Sequence, residues 1–250
     1  MIVKKLSPCL LLLLSLTSPW LAYASDKTVR LTSLEWPPYA SEELPQQGAA
    51  IAIVSAAFAS MGYKLEVAFF PWSRAVAFSE EPDNQYIGYL PEYYSPDTAK
   101  KFIYSNAFAV GPLGFAERKD KSISWSKLEE LTPYRIGIVQ DYINTEKFDD
   151  MVENKSVITS VTLNDTNNLR KLVSGRIDLA VVDQHVMTYL LNSVSDLADN
   201  ADQIQFNAKL LEEKKLYICF NKTEEGYAMV KIFNQGLKKI DVAAILAQHL

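Results

Sequence analysis

Residues 174–183, SGRIDLAVVD, constrain the fold more tightly than any other stretch of the chain. They read as helix end, tight turn, buried strand and polar strand tip. The run 166–173 before them is helical in pattern, and Gly175 suits the left-handed residue that closes a helix. Ile177, Leu179, Ala180, Val181 and Val182 suit a strand covered on both faces, which requires helices on either side of a sheet and so an α/β fold. Ligands in open α/β sheets bind beyond the carboxyl ends of the strands. Asp183 is therefore a candidate ligand-binding residue, or the cap of a helix beginning near Gln184; one carboxylate can do both.

The amino terminus reads as an address rather than as part of the fold. Lys4 and Lys5 precede an apolar run at 10–16, and Ala22-Tyr23-Ala24 offers a small-x-small cleavage site, so residues 1–24 are expected to be a removed signal peptide. The apolar run is well short of the ~20 residues that span a bilayer, and Cys9 stands at its start rather than beside the cleavage site. Neither a membrane anchor nor a lipid-bearing cysteine is expected. Losing the leader leaves Cys219 as the only cysteine, which excludes an internal disulfide even in an oxidising compartment. About 226 residues remain, and 48% hydrophobic content is enough for a large core. Lys4 and Lys5 go from a pool of 25 basic residues against 30 acidic ones, so the formal charge moves from −5 to about −7. Nucleic acid and an anionic membrane surface are unfavourable partners for such a chain.

The remaining pattern alternates strand and helix twice. A strand at 28–34 leads to Glu35-Trp36-Pro37-Pro38-Tyr39, whose paired prolines forbid helix and hold an extended backbone. A buried helix at 49–61, a strand at 64–70, a helix at 71–79 and a strand at 85–90 follow, then a loop with Glu92, Tyr93 and Tyr94. After a polar linker at 117–122 come a helix at 125–131, a strand at 134–139, a helix at 144–152, a strand at 156–161 and the 166–183 unit. Two similar α/β halves are implied. A strand at 215–220 and helices at 227–237 and 242–250 are expected to return to the first half, giving lobes of 25–115 plus 216–250 and of 116–215.

The order of motifs resembles the family 3 periplasmic solute-binding proteins, which deliver polar amino acids and similar solutes to ABC importers. The likeness rests on EWPPY at 35–39, the Gly48-led helix, PWSRA at 71–75, ERKD at 117–120, RIGIVQ at 135–140, SGRIDLAVVD, and FNQGLKKI at 233–240. It implies a two-lobed periplasmic-binding-protein-like (type II) fold, each lobe a mixed sheet flanked by helices, with a ligand cleft between the lobes. It also places Asp183 where members bind a ligand's ammonium group, a pairing that a partly dry cleft strengthens.

The resemblance fails at the group that would grip a carboxylate. Aligning the loop that carries the family's arginine puts Thr98 at that position, and the Gly-Thr pair after the strand becomes Asp141-Tyr142. An ordinary free amino acid is therefore not the expected solute. Arg74 is the nearest substitute, either gripping an acid group bidentately or lying on an exposed helix face. Trp36, Tyr39, Trp72, Tyr89, Tyr93 and Tyr94 could wall a planar, cyclic or cationic solute, Trp36, Tyr39 and Trp72 standing out by their position in matched loops.

No catalytic constellation is present in the sequence: there is no G-x-S-x-G, no Gly-rich phosphate loop, no H-E-x-x-H and no CxxC. The two histidines, His185 and His249, do not suggest a shared metal site, and Cys219 in its apolar setting reads as a small buried hydrophobe. No metal or cofactor is expected. The expectation is a monomeric periplasmic receptor serving an inner-membrane ABC permease. The alternatives are an enzyme on the same scaffold, resembling relatives that dehydrate cyclic carboxylic acids, and a soluble sensor for a membrane receptor.

Overall fold

A computed structural model describes residues 27–81 and 84–250; the expected leader and its cleavage site lie outside the described residues. The first stretch runs β1 (Thr28–Ser33), α1 (Ala49–Ala59), β2 (Lys64–Phe69), α2 (Trp72–Glu80), β3 (Gly88–Glu92), α3 (Pro96–Lys101) and β4 (Phe102–Tyr104). A long strand, β5 (Ala109–Arg118), leads into β6 (Arg135–Val139), α4 (Glu146–Glu153), β7 (Ile158–Thr162), α5 (Asp165–Val173), β8 (Leu179–Asp183), α6 (Gln184–Ser193), α7 (Ser195–Ala198) and β9 (Ile204–Phe206). A second long strand, β10 (Glu212–Asn221), returns to α8 (Glu224–Leu237) and α9 (Val242–His249).

Strand pairing gives the same order twice. β1 lies parallel to β2 and β3, and β10 pairs antiparallel with β3 and β4. In the other half β6 lies parallel to β7 and β8, and β5 pairs antiparallel with β8 and β9. The long strands join the halves: Ala109 to Leu113 of β5 pairs antiparallel with Leu216 to Glu212 of β10. The result is the two-lobed α/β fold, with a mixed sheet in each lobe.

Local chemistry explains the elements. Gly175 adopts φ +67, the left-handed conformation that ends α5 and that side chains resist. The burial pattern of β8 is unbroken, as its apolar run requires. α1 is a run of Ala, Ile and Val with eight buried residues, and it packs on α8, where Phe58 and Phe233 are both fully buried with centroids 5.5 Å apart. Truncating such a phenylalanine to alanine costs about 3 to 5 kcal/mol.

Several segments differ from the sequence expectation, β4, α7 and β9 among those it did not name. The helix expected at 125–131 is only a 3₁₀ turn, Leu128–Leu131. Trp125 instead packs edge-on against Phe115 at 5.8 Å, under Lys209. β3 ends two residues later than expected, so Glu92 belongs to a fully buried strand and not to a loop. β5 takes in the start of the expected polar linker, and Glu117 is 1% exposed. The short helix α3 was not expected from the sequence. Among the described residues, no helix is long and apolar enough to cross a membrane.

Candidate functional site

The loop after β1 is held by the helix that follows it. The first amides of α1 need acceptors, and Ala49 and Ala50 donate to the carbonyls of Pro38 and Tyr39 at 2.9 and 2.8 Å. Trp36 and Ala40 pair with each other across the turn. The rings of Trp36 and Tyr39 are thus fixed at the strand tip, stacked at 4.7 Å and 23°. Every parallel strand contributes in the same way: Trp72 follows β2, Tyr93 follows β3, Asp141 and Tyr142 follow β6, Asp165 follows β7, and Asp183 closes β8. Six carboxyl ends therefore converge between the lobes, where binding sites of open α/β sheets lie.

Two small inner cavities occupy this junction. One, of about 30 Å³, is lined by Leu34, Trp36, Trp72, Pro91, Glu92, Tyr93, Tyr142, Ile143 and Leu216. The other, of about 10 Å³, adds Asp165, Asp183, Asn144 and Val181 to the shared Trp36, Tyr93 and Tyr142. Volumes of this size hold about one or two water molecules. On either side of Trp72 the cleft opens into larger spaces of about 290 Å³, lined by Thr98, Lys101 and Asp141 among others, and 430 Å³, lined by Phe69, Phe70 and Leu163.

Asp183 takes the capping role anticipated for it and lines the smaller inner cavity. It is 2% exposed and caps α6, its Oδ1 accepting from the amides of His185 and Val186 at 2.8 and 3.3 Å. Across the lobes the Tyr39 hydroxyl donates to Oδ1 and Oδ2 at 3.3 and 3.2 Å. Gly111 of β5 makes this approach possible, because a Cβ there would fall against Asp183 Oδ2 and 2.6 Å from Tyr39 Oη.

Burial dominates the electrostatics. It pushes the Asp183 carboxyl up to about 7 against the two amides and Tyr39, and Glu213 adds to the rise. Asp165, 5% exposed, is pushed to about 7 by burial and by the charge of Asp183, partly offset by the Trp36 indole and its own amide. Glu92 reaches about 8 through burial, against the Tyr93 amide, the Tyr89 hydroxyl and the Lys214 cation. Burial also raises the Tyr93 phenol, and its hydroxyl has no hydrogen-bond partner. Leaving a buried hydroxyl unpaired costs about 1 to 3 kcal/mol, a deficit that a bound solute can repair.

Of the residues expected from sequence, Asp183, Trp36, Trp72, Tyr93 and Tyr142 line the inner cavities, and Tyr39 contacts Asp183. Asp141 stands at the rim, exposed, at φ +60. Its carbonyl accepts from Trp72 Nε1 at 3.0 Å and its carboxylate from Ser73 Oγ, so it ties one lobe to the other. Arg74 is exposed on α2 and lines neither inner cavity. Asp165 and Glu92 were missed by the sequence reading. Cys219 is fully buried and its thiol is raised by burial, as a small hydrophobe would be. Among the described residues, no group of three His, Cys, Asp or Glu side chains is placed to hold a metal ion.

No protein-family model matches the chain, and no curated protein matches it. Solved structures do. A histidine kinase sensor domain with similarity to periplasmic binding proteins aligns at a TM-score of 0.75 and 19% identity, covering 90% of this chain and 96% of that one. An amino acid ABC transporter substrate-binding protein from Streptococcus pneumoniae, bound to L-arginine, aligns at 0.70 and 13% identity over 90% and 93%. An ancestral amino-acid-binding protein, a precursor of cyclohexadienyl dehydratase, aligns at 0.69 and 15% over 89% and 94%. The chain has the two-lobed fold of periplasmic binding proteins, as its resemblance to the family 3 members implied.

Proposed function

We propose that this protein is a periplasmic receptor whose lobes close on a small polar solute and present it to an inner-membrane ABC permease. The observation that carries this reading is the convergence of six strand ends on buried carboxyls and aromatic rings between two lobes joined by β5 and β10. In this reading residues 1–24 direct export and are removed, residues 25–115 and 216–250 form one lobe, and 116–215 form the other. The receptor works as a monomer without a cofactor. Inner cavities of about 30 and 10 Å³ are too small for an amino-acid-sized solute, so entry requires the lobes to part.

The test is to denature the purified protein, identify released small molecules by mass spectrometry, and measure thermal stabilisation by each. A true ligand at a hundredfold its Kd adds ~2.7 kcal/mol. No stabilisation by amines, amino acids, organic acids or nucleosides would refute the receptor reading. Turnover of a prephenate-like acid in the same screen would replace it with an enzyme.

A second reading, a sensor for a membrane receptor, is favoured by bonds that the lobes make directly to each other. Tyr39 reaches Asp183, and Trp72 and Ser73 reach Asp141, so the chain's own side chains favour a closed arrangement. Solution scattering separates the two: a receptor compacts when its solute is added, whereas a resting-closed sensor keeps or expands its radius of gyration.

A further inference from the structure

The inner cleft is acidic and lacks a cation. Asp165 and Asp183 line one cavity and Glu92 lines the other, and neither lining contains Lys, Arg or His. The nearest buried cation, Lys214, lines neither cavity: its Nζ lies 5.2 Å over the Tyr93 ring and 3.7 Å from Glu212, and its charge acts on Glu92, which leaves Asp165 and Asp183 as the acids without a lining cation. In the wider space beside Trp72, Lys101 is paired with Glu80 at 3.0 Å and Thr98 is uncharged. A solute carboxylate entering the cavity lined by Asp165 and Asp183 would meet two buried acids and no lining cation, a costly arrangement.

A solute cation meets the opposite conditions. Tyr93 lines both cavities, is 8% exposed, and its hydroxyl is unpartnered while sensing the charges of Asp183 and Asp165. Trp36, Trp72 and Tyr142 present ring faces and edges to the same space, and such rings attract cations. We propose that Asp165 and Asp183, together with the Tyr93 hydroxyl, clamp the cationic head of an organic amine that carries no carboxylate. This inference rests on the receptor reading above and narrows its solute class.

Binding a cation there requires charged carboxylates, so it expels protons. The groups facing Asp183 are Tyr39, Asp165, Tyr93, His185 and Glu213; those facing Asp165 are Asp183, Trp36, Tyr93 and Tyr142. Burial raises both carboxyls toward neutrality, so affinity should climb as pH rises from 6 to 8, by about tenfold for each carboxyl that titrates near 7.

Calorimetry on the intact protein tests this with pairs of probes that differ only by a carboxylate: agmatine against arginine, and histamine against histidine. The expected result is that one amine binds at least about tenfold tighter than its parent amino acid, with proton release in buffers of different ionisation heat. Asp165→Asn should weaken that amine at least tenfold while melting no lower than the parent; if it does not fold, Tyr93→Phe, which removes only the hydroxyl, should weaken it severalfold. Arginine or histidine binding as tightly as its amine, or an organic acid binding where every amine fails, overturns the inference and leaves the receptor reading standing. Unchanged amine affinity in a folded Asp165→Asn overturns the role of Asp165. Failure of every solute class overturns both readings.

Discussion

Two buried carboxylates, Glu117 near the end of β5 and Asp183 at the end of β8, sit on directly paired strands and are treated differently by the fold. Glu117, 1% exposed, accepts four hydrogen bonds, from Ser122 Oγ, the Ile123 amide, Gln205 Nε2 and Asn207 Nδ2, at 2.7 to 3.0 Å. Asp183 receives two amides on Oδ1, while its Oδ2 meets only the Tyr39 hydroxyl at 3.2 Å. The first set of partners satisfies a charge and ties the linker and β9 to the sheet. The second leaves acceptor capacity open between the lobes. A buried acid that the fold has satisfied is architecture, and one it has left short is the candidate for the solute site in the receptor reading.

The largest effect expected from this contrast is at Glu117. Glu117→Gln turns one acceptor oxygen into a donor facing donors, and should cost about 3 kcal/mol in urea unfolding while leaving amine affinity in the folded fraction unchanged. Altered affinity without lost stability would erase the distinction. Next is Gly111→Ala, whose methyl displaces Asp183 and Tyr39; overpacking of this kind should cost about 2 kcal/mol and reduce binding together with stability.

Asp183→Asn should act in the opposite direction on stability. Asparagine caps a helix about as well as aspartate, and the substitution removes a buried charge. The sign follows from protons: Asp183 holds its proton more tightly folded, at about 7, than at its ordinary 3.8. Its contribution to stability therefore falls as pH rises from about 4 through 7 and is flat above that. At pH 8, Asp183→Asn should stabilise the unliganded protein by at least about 1 kcal/mol, the size of one pKa unit, while abolishing amine binding. Differential scanning calorimetry at pH 5 and pH 8 checks both parts; equal destabilisation at both would make Asp183 a second Glu117. The smallest effect belongs to Trp72→Phe, which removes only the indole bond to the Asp141 carbonyl and should cost about 0.5 to 1 kcal/mol, read as a lower melting temperature with a larger scattering radius.

Much of this arrangement was legible in the sequence, and the misses share a physical cause. Periodicity located β8, α5 and α1 because their burial is set by the chain's own pattern. β5 was not drawn from the sequence; Gly111 and Gly114 are where Asp183, Tyr39 and Phe206 press against the strand. Those neighbours come from distant parts of the chain. Asp165 escaped although the rule that found Asp183 applies equally to the tip of β7, where Asn164 caps α5 and Asp165 follows it. For Arg74 the sequence left two roles open, because a position in a matched segment says nothing about which side of α2 faces inward; burial of Trp72, Ala75 and Ser79 turns Arg74 to solvent.

The crossing strands have a consequence for how the molecule can be tuned. β5 and β10 are ten residues each and are bonded to one another along part of their length, so the passage between lobes is a ribbon and not a pair of slack tethers. A ribbon resists stretching but yields to torsion, so in the receptor reading its resting twist would set how far apart the jaws stand. Val110, 46% exposed on that ribbon and outside both inner cavity linings, is then a place where the grip could be loosened or tightened away from the solute.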